Sequence, residues 1–173
     1  MKINHIFNKI TFSFSIIFFL SFHLNAQEQK LKEEKTKHAV GAGAGFTTGY
    51  GLSYRYTPNK LGVQVNFAPY KNGADYQYSF GLTALYSLMQ NEKTTLYLYQ
   101  ANHYLASSFM EFDNSIPSVL KRKTESYFNH GIGFGVEFIV ASKIGFNLMT
   151  GYATYDNFNK LNVTGEAALY FKF

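Results

Sequence analysis

The chain has 173 residues, a formal net charge of +5, 46% hydrophobic and 18% aromatic residues, and no cysteine. That length suits one domain, and the lack of cysteine excludes disulfides, thiolate metal sites and cysteine nucleophiles. Lys and Arg are dispersed, with no long basic block, so nucleic-acid binding has no electrostatic footprint.

The first segment, MKINHIFNKITFSFSIIFFLSFHLNAQ, has Lys2 and Lys9, then an apolar run from Ile10 to Phe22, then Leu24-Asn25-Ala26. This is the order of a secretory signal peptide, with a positive start, a short apolar stretch and a small residue at the cut. Serines interrupt the apolar run, which is too short for the roughly 20 residues of a membrane-spanning helix. Residues 1–26 are therefore expected to be a signal peptide cleaved after Ala26. Residues 27–37, QEQKLKEEKTK, carry no apolar stripe and are expected to form a polar periplasmic leader.

From His38 onward the texture changes to aromatics, β-branched residues and glycines, and alternation of period two replaces any helical period. In Gly49–Thr57, Tyr50, Leu52, Tyr54 and Tyr56 alternate with Gly51, Ser53, Arg55 and Thr57. After Pro58-Asn59-Lys60, Leu61, Val63, Val65 and Phe67 alternate with Gly62, Gln64, Asn66 and Ala68. Tyr76–Leu88, Phe128–Ala141, Ile144–Tyr155 and Leu161–Phe173 repeat the pattern. His38–Phe46 is mostly Gly and Ala and is expected as the first strand. Thr94–Ala106 has two competing faces: Leu96 and Leu98 with Gln100 and Asn102, or Tyr97, Tyr99, Ala101 and Leu105 with His103. A bulge would reconcile them. The total is about eight strands, with lengths near the 9–11 residues a tilted membrane strand needs.

The polarity of the two faces decides between a soluble and a membrane barrel. The apolar faces are large and aromatic, whereas the opposite faces hold Gly, Ser, Ala, Asn, Gln and Thr. Such small polar residues suit the cramped interior of an eight-stranded barrel, and a soluble sheet would show many more charges to water. The strand charges Arg55, Glu137, Glu166 and Lys172 all fall on the small-residue side. Arg55, Glu137 and Glu166 are expected to form a charge network that fills the lumen. The expected fold is a closed antiparallel up-and-down transmembrane β-barrel spanning residues 38–173. Connectors support it: Thr57–Lys60, Met89–Lys93 and Ser142-Lys143 are short, whereas Tyr70–Asp75, Ser107–Glu125 and Asp156–Lys160 are longer. The first outer connection, Thr47-Thr48, is the exception.

Alternation in the last strand, with Ala167, Leu169, Phe171 and Phe173 on one side, completes the pattern. On these features the chain resembles the small eight-stranded outer-membrane barrels, the group of the OmpA transmembrane domain and OmpX. Its Asn-Ala-Gln junction and Tyr/Asn/Lys richness resemble Bacteroidetes-type proteins. The resemblance implies an outer-membrane location, contact with outer-membrane lipid and lipopolysaccharide, a monomer, and insertion by the barrel-assembly machinery. Leu169, Phe171 and Phe173 would then be the assembly signal. It implies no single activity, because one fold hosts many.

Chemistry is sparse. GAGAG at 41–45 and GIGFG at 131–135 lack the third glycine of a dinucleotide loop and open no helix, so they are expected to be strand glycines facing a narrow lumen. His103 and His130 lack the His-x-Ser-Asn pattern of lipid A deacylase barrels, and no histidine pair has metal-ligand spacing. No catalytic residue, cofactor or metal site is assigned. The segment SSFMEFDNSIPSVLKRKTE, residues 107–125, is expected first as a strand extension beyond the membrane with ordinary charges, and second as a surface contact through Phe109, Phe112, Lys121, Arg122 and Lys123. The expected role is structural or surface-interacting, with an outer-leaflet lipid A-modifying enzyme and a narrow pore as alternatives.

Overall fold

A computed structural model describes residues 37–112 and 120–173, so the expectations for residues 1–36 and 113–119 lie outside the described residues. Eight strands run in order: β1 His38–Gly45, β2 Gly49–Tyr56, β3 Leu61–Asn72, β4 Asp75–Gln90, β5 Thr94–Phe112, β6 Leu120–Ala141, β7 Ile144–Tyr155 and β8 Lys160–Lys172. Each pairs antiparallel with the next, and β8 returns to β1, closing the barrel. At the rim where it closes, called the lower rim, the Phe173 amide donates to the His38 carbonyl at 2.9 Å. The His38 ring stacks on Phe173 and its Nδ1 lies 2.6 Å from the Tyr54 hydroxyl.

Side-chain direction follows the alternation. Leu52 and Leu161 are 72% and 74% exposed on the outside, in the company of Val63, Phe80, Phe134, Leu148 and Leu169. The inside holds Ser53, Arg55, Gln64, Asn66, Thr83, Glu137, Asn147 and Glu166, all buried. An apolar exterior around a polar interior inverts the soluble arrangement, and closure leaves no unpaired edge across the hydrocarbon. The chain is therefore an integral β-barrel of the outer-membrane type.

Four features differ from the sequence pattern. The two faces of β5 both persist. Tyr97, Tyr99, Ala101 and His103 point inward, leaving Gln100 and Asn102 on the outer side. The register irregularity lies on the partner strand β4, between Ser87 and Met89. Tyr50 leaves the outward row because Gly49 and Gly51, both at positive φ (81° and 107°), redirect the chain between them. Its ring meets His103 edge-on, 5.9 Å between centroids, and its hydroxyl accepts from the Gln77 amide. The connection expected over Tyr70–Asp75 shrinks to Gly73-Ala74, because Tyr70↔Gln77, Lys71↔Tyr76 and Asn72↔Asp75 pair as strand. Within 107–125 the strand extension replaces an open connection, with pairing from Ser107↔Glu125 to Phe112↔Leu120.

Candidate functional site

The lumen is filled at two levels. Near the lower rim, Arg55 Nη1 lies 2.7 Å from Glu137 Oε2, and Lys172, from the end of β8, pairs with the other oxygen of Glu137. The guanidinium also stands 4.3 Å from the centroid of Tyr170 and 5.5 Å from that of Tyr97. Glu137 thus has a cation on each oxygen, and Arg55 is held by a carboxylate and two ring faces. These are the conditions under which a buried ion pair can offset its desolvation.

Glu166 does not join this network. It lies six residues from Lys172 on β8, about 20 Å along the strand, and serves a separate group near the opposite, upper rim. There the connection Phe46-Thr47-Thr48 turns into the barrel instead of away from it. Thr47 and Thr48 are buried, and Thr47 donates its hydroxyl to Glu166 Oε1 at 2.5 Å. The Phe46 carbonyl accepts from His103 Nδ1 at 3.0 Å and from Asn129 Nδ2 at 3.1 Å. The strands beneath make room. A Cβ on Gly81 would come within 1.6 Å of the Thr48 carbonyl oxygen, and one on Gly131 within 2.6 Å of Thr47 Oγ1.

Side-chain amides join the two levels. Arg55 Nη2 donates to Gln64 Oε1 at 2.6 Å, Gln64 Nε2 to Asn66 Oδ1 at 3.1 Å, and Asn66 Nδ2 to the Gly49 carbonyl at 3.1 Å. Tyr170 and Ser53 join at 2.7 Å, and Ser53 donates to Asn66 Oδ1 at 2.6 Å. Leu85, Tyr97, Tyr99, Ala101 and Met149 form an apolar cluster beside this chain.

His103 and His130 lie on opposite sides of the wall. His103 is inside: with Nδ1 donating to the Phe46 carbonyl, Nε2 lies 2.9 Å from Ser79 Oγ. A hydroxyl beside an oriented imidazole resembles a nucleophile and its base. Ser79 is 0% exposed, however, and also accepts from the Tyr50 amide at 3.2 Å, so the pair serves as an anchor for the inserted turn. His130 is outside, on the row of Ile132 and Phe134.

Above the upper rim, β5 and β6 continue as a hairpin, and strand alternation separates the basic run. Arg122 takes one face, with Nη1 donating to the Ala74 carbonyl at 3.2 Å and to Ser108 Oγ at 3.4 Å. Lys123 takes the other, 5.7 Å from the Phe109 ring centroid and paired with Glu125 at 2.9 Å and Glu111 at 3.5 Å. Lys121, opposite Glu111, shares that second face. Three consecutive cations are contiguous in sequence but not in space, because neighbours on a strand point apart. Phe112 pairs through its backbone with Leu120. Glu125 is held below the ordinary carboxylate range, first by the Tyr127 hydroxyl and then by Lys123, which both favour its charged form.

The inserted turn escaped sequence reasoning. The signals for it were the shortness of Thr47-Thr48 between two alternating runs and the isolated Gly81 in an otherwise bulky strand.

No family model matches the chain. No curated protein matches its sequence either. Among solved structures it is similar to the N-terminal β-barrel domain of Pseudomonas aeruginosa OprF, at 13% identity and TM-score 0.47, covering 79% of this chain and 95% of that one. It is also similar to neisserial surface protein A, NspA, at 20% identity and TM-score 0.44, covering 79% and 94%. A third is Ail, the attachment invasion locus protein of Yersinia pestis, at 17% identity and TM-score 0.45, covering 79% and 96%. At these identities and scores, both architecture and role are read from this chain's own residues.

Proposed function

We propose that this is a sealed outer-membrane barrel whose role is carried on its outer surface: a structural or surface-interaction protein that displays the β5–β6 hairpin. The observation that carries this reading is the contrast between a lumen bonded from Glu137 up to the inserted turn and a hairpin reaching well beyond its neighbours. The filled lumen argues against the pore, and planar-bilayer recordings should show no steady conductance. The surface role is tested by replacing residues 107–125 with a two-residue turn. The shortened barrel should still insert and show heat-modifiable gel migration, but cells displaying it should lose adherence to matrix-coated surfaces or to lipopolysaccharide. Unchanged adherence on both would overturn the surface reading.

The alternative, an enzyme acting on lipid A, would have to use His130, the outward-facing histidine of the upper half of the barrel, since His38 sits at the lower rim. Lipid A from cells carrying His130→Ala should be unchanged by mass spectrometry; an altered profile would establish the enzyme. Leu169, Phe171 and Phe173 share one outward row, which supports reading them as the signal taken by the assembly machinery; Phe173→Ala should lower the inserted fraction. We likewise propose export through a cleaved signal peptide, so that sequencing the membrane-extracted protein should begin at Gln27, ahead of a monomeric barrel.

A further inference from the structure

The outward face carries a polar cluster on β5 and β6. Gln100 and Asn102 on β5 and His130 on β6 lie in the outer rows with Leu98, Ile132 and Phe134, and Asn102 is directly opposite His130. His130 Nδ1 is 2.9 Å from Asn102 Oδ1, and Gln100 Nε2 is 3.4 Å from the same nitrogen. On the far side, Thr154 donates its hydroxyl to the His130 carbonyl at 3.5 Å. The Phe158 ring centroid stands 6.2 Å from the imidazole, on a turn whose residues Asp156, Asn157 and Phe158 all have positive φ.

Depth gives the cluster its meaning. His130 stands ten residues up β6 from Val140, which faces outward near the lower rim. At about 3.3 Å per residue and a tilt of about 40°, that is about 25 Å, the height of the apolar band of a membrane barrel. Gln100, opposite Ile132, lies slightly deeper. The cluster therefore spans the level at which acyl chains meet their carbonyl linkages. Among the described residues, the amide hydrogens of Asn102 have no protein acceptor, and its oxygen is already engaged by the histidine. No Lys or Arg lies in the outward rows from 96 to 106 or from 126 to 138, so the site offers amide donors to a neutral acceptor and no cation to a phosphate.

We propose that Gln100, Asn102 and His130 form an external site for the acyl-ester or acyl-amide carbonyl of an outer-leaflet lipid, whose chain runs down over Ile132 and Phe134. The inference rests on the outer-membrane reading above. It is tested with the full-length mature protein in mixed micelles holding equal amounts of diester phosphatidylglycerol and its diether analogue, which keeps the headgroup and lacks the carbonyls. Native mass spectrometry then reads the lipid retained on each barrel. The wild type should retain the diester about fivefold over the diether, as expected for one additional hydrogen bond. The triple variant Gln100→Leu, Asn102→Leu, His130→Phe should lose that preference, and Asn102→Leu alone should lose most of it. Because these side chains face lipid, the apolar variants should still insert, and heat-modifiable migration checks that they do. Equal retention of the two lipids by the wild type, a preference unchanged in either variant, or a lipid-free barrel dimer would overturn the site. Recovery of the wild type as a soluble protein would instead overturn the outer-membrane reading.

Discussion

The β1–β2 hairpin and the β5–β6 hairpin solve the same connection problem in opposite ways. β1 and β2 have 8 residues each, whereas β5 has 19 and β6 has 22. At barrel tilt the short strands rise about 20 Å and β6 about 55 Å, against an apolar band of about 25 Å. A hairpin that ends within the band must satisfy its turn inside the protein, and Phe46-Thr47-Thr48 does so by bonding to Glu166, His103 and Asn129. A hairpin that ends above the band can leave its polar groups in water. Lys123, with a side chain 50% exposed, gains little from its carboxylates there. The difference teaches that polar side chains of the same kinds are fixed structural parts in one region and free surface in the other.

Substitutions can break this contrast, and the largest effect belongs beneath the buried turn. Glu137→Leu leaves Arg55 buried without its carboxylate and should destabilise the barrel by about 3–5 kcal/mol, measured as a lower urea midpoint in lipid vesicles. Arg55→Met combined with Glu137→Leu should recover most of that loss, and a double variant as weak as the single one would show that the pair is not the cause.

Gly81→Val should come next, at about 1–3 kcal/mol for an overpacked site. Its side chain takes the position of the Thr48 carbonyl, so the turn should leave the lumen and the amides of Thr47 and Thr48 should lose protection from hydrogen exchange, while the Arg55–Glu137 level below keeps the bilayer silent. An equally stable variant with unchanged protection at Thr47 and Thr48 would mean that the turn is not held as described.

On the projecting hairpin, Arg122→Ala and Lys123→Ala should leave the unfolding midpoint unchanged while altering surface binding. A fall comparable to that of Gly81→Val would erase the distinction between the two hairpins.

The smallest effect is a titration. Glu125 is depressed by Tyr127 and Lys123, so its contribution is complete above the ordinary carboxylate pKa and fades as pH falls through the lower folded value. The protection of amides 120–126 relative to the unfolded chain should therefore hold at pH values just below the ordinary carboxylate range and fall only at lower pH. In the Tyr127→Phe variant it should fall at a higher pH than in the wild type.

Alternation by itself determined the lipid rows of β3, β4, β6, β7 and β8. Leu61, Val63, Val65 and Phe67 could face only one way once Gln64 and Asn66 needed the other, because successive strand side chains point to opposite sides. The same rule put Arg55, Glu137 and Glu166 inside, but it carries no information on height around a sheared ring. Only the closed barrel brought Lys172 to Glu137 and carried Glu166 up to Thr47. Only the tertiary structure, too, gave β5 its orientation, since a strand with Tyr on one face and Gln and Asn on the other offers no polarity to follow. Pairing with β4 and β6 turned Tyr97 and Tyr99 into the lumen and left Gln100 and Asn102 against the lipid. Periodicity is local and survives in the sequence; register, closure and the inward fold of a turn depend on partners far along the chain, and the barrel alone supplies them.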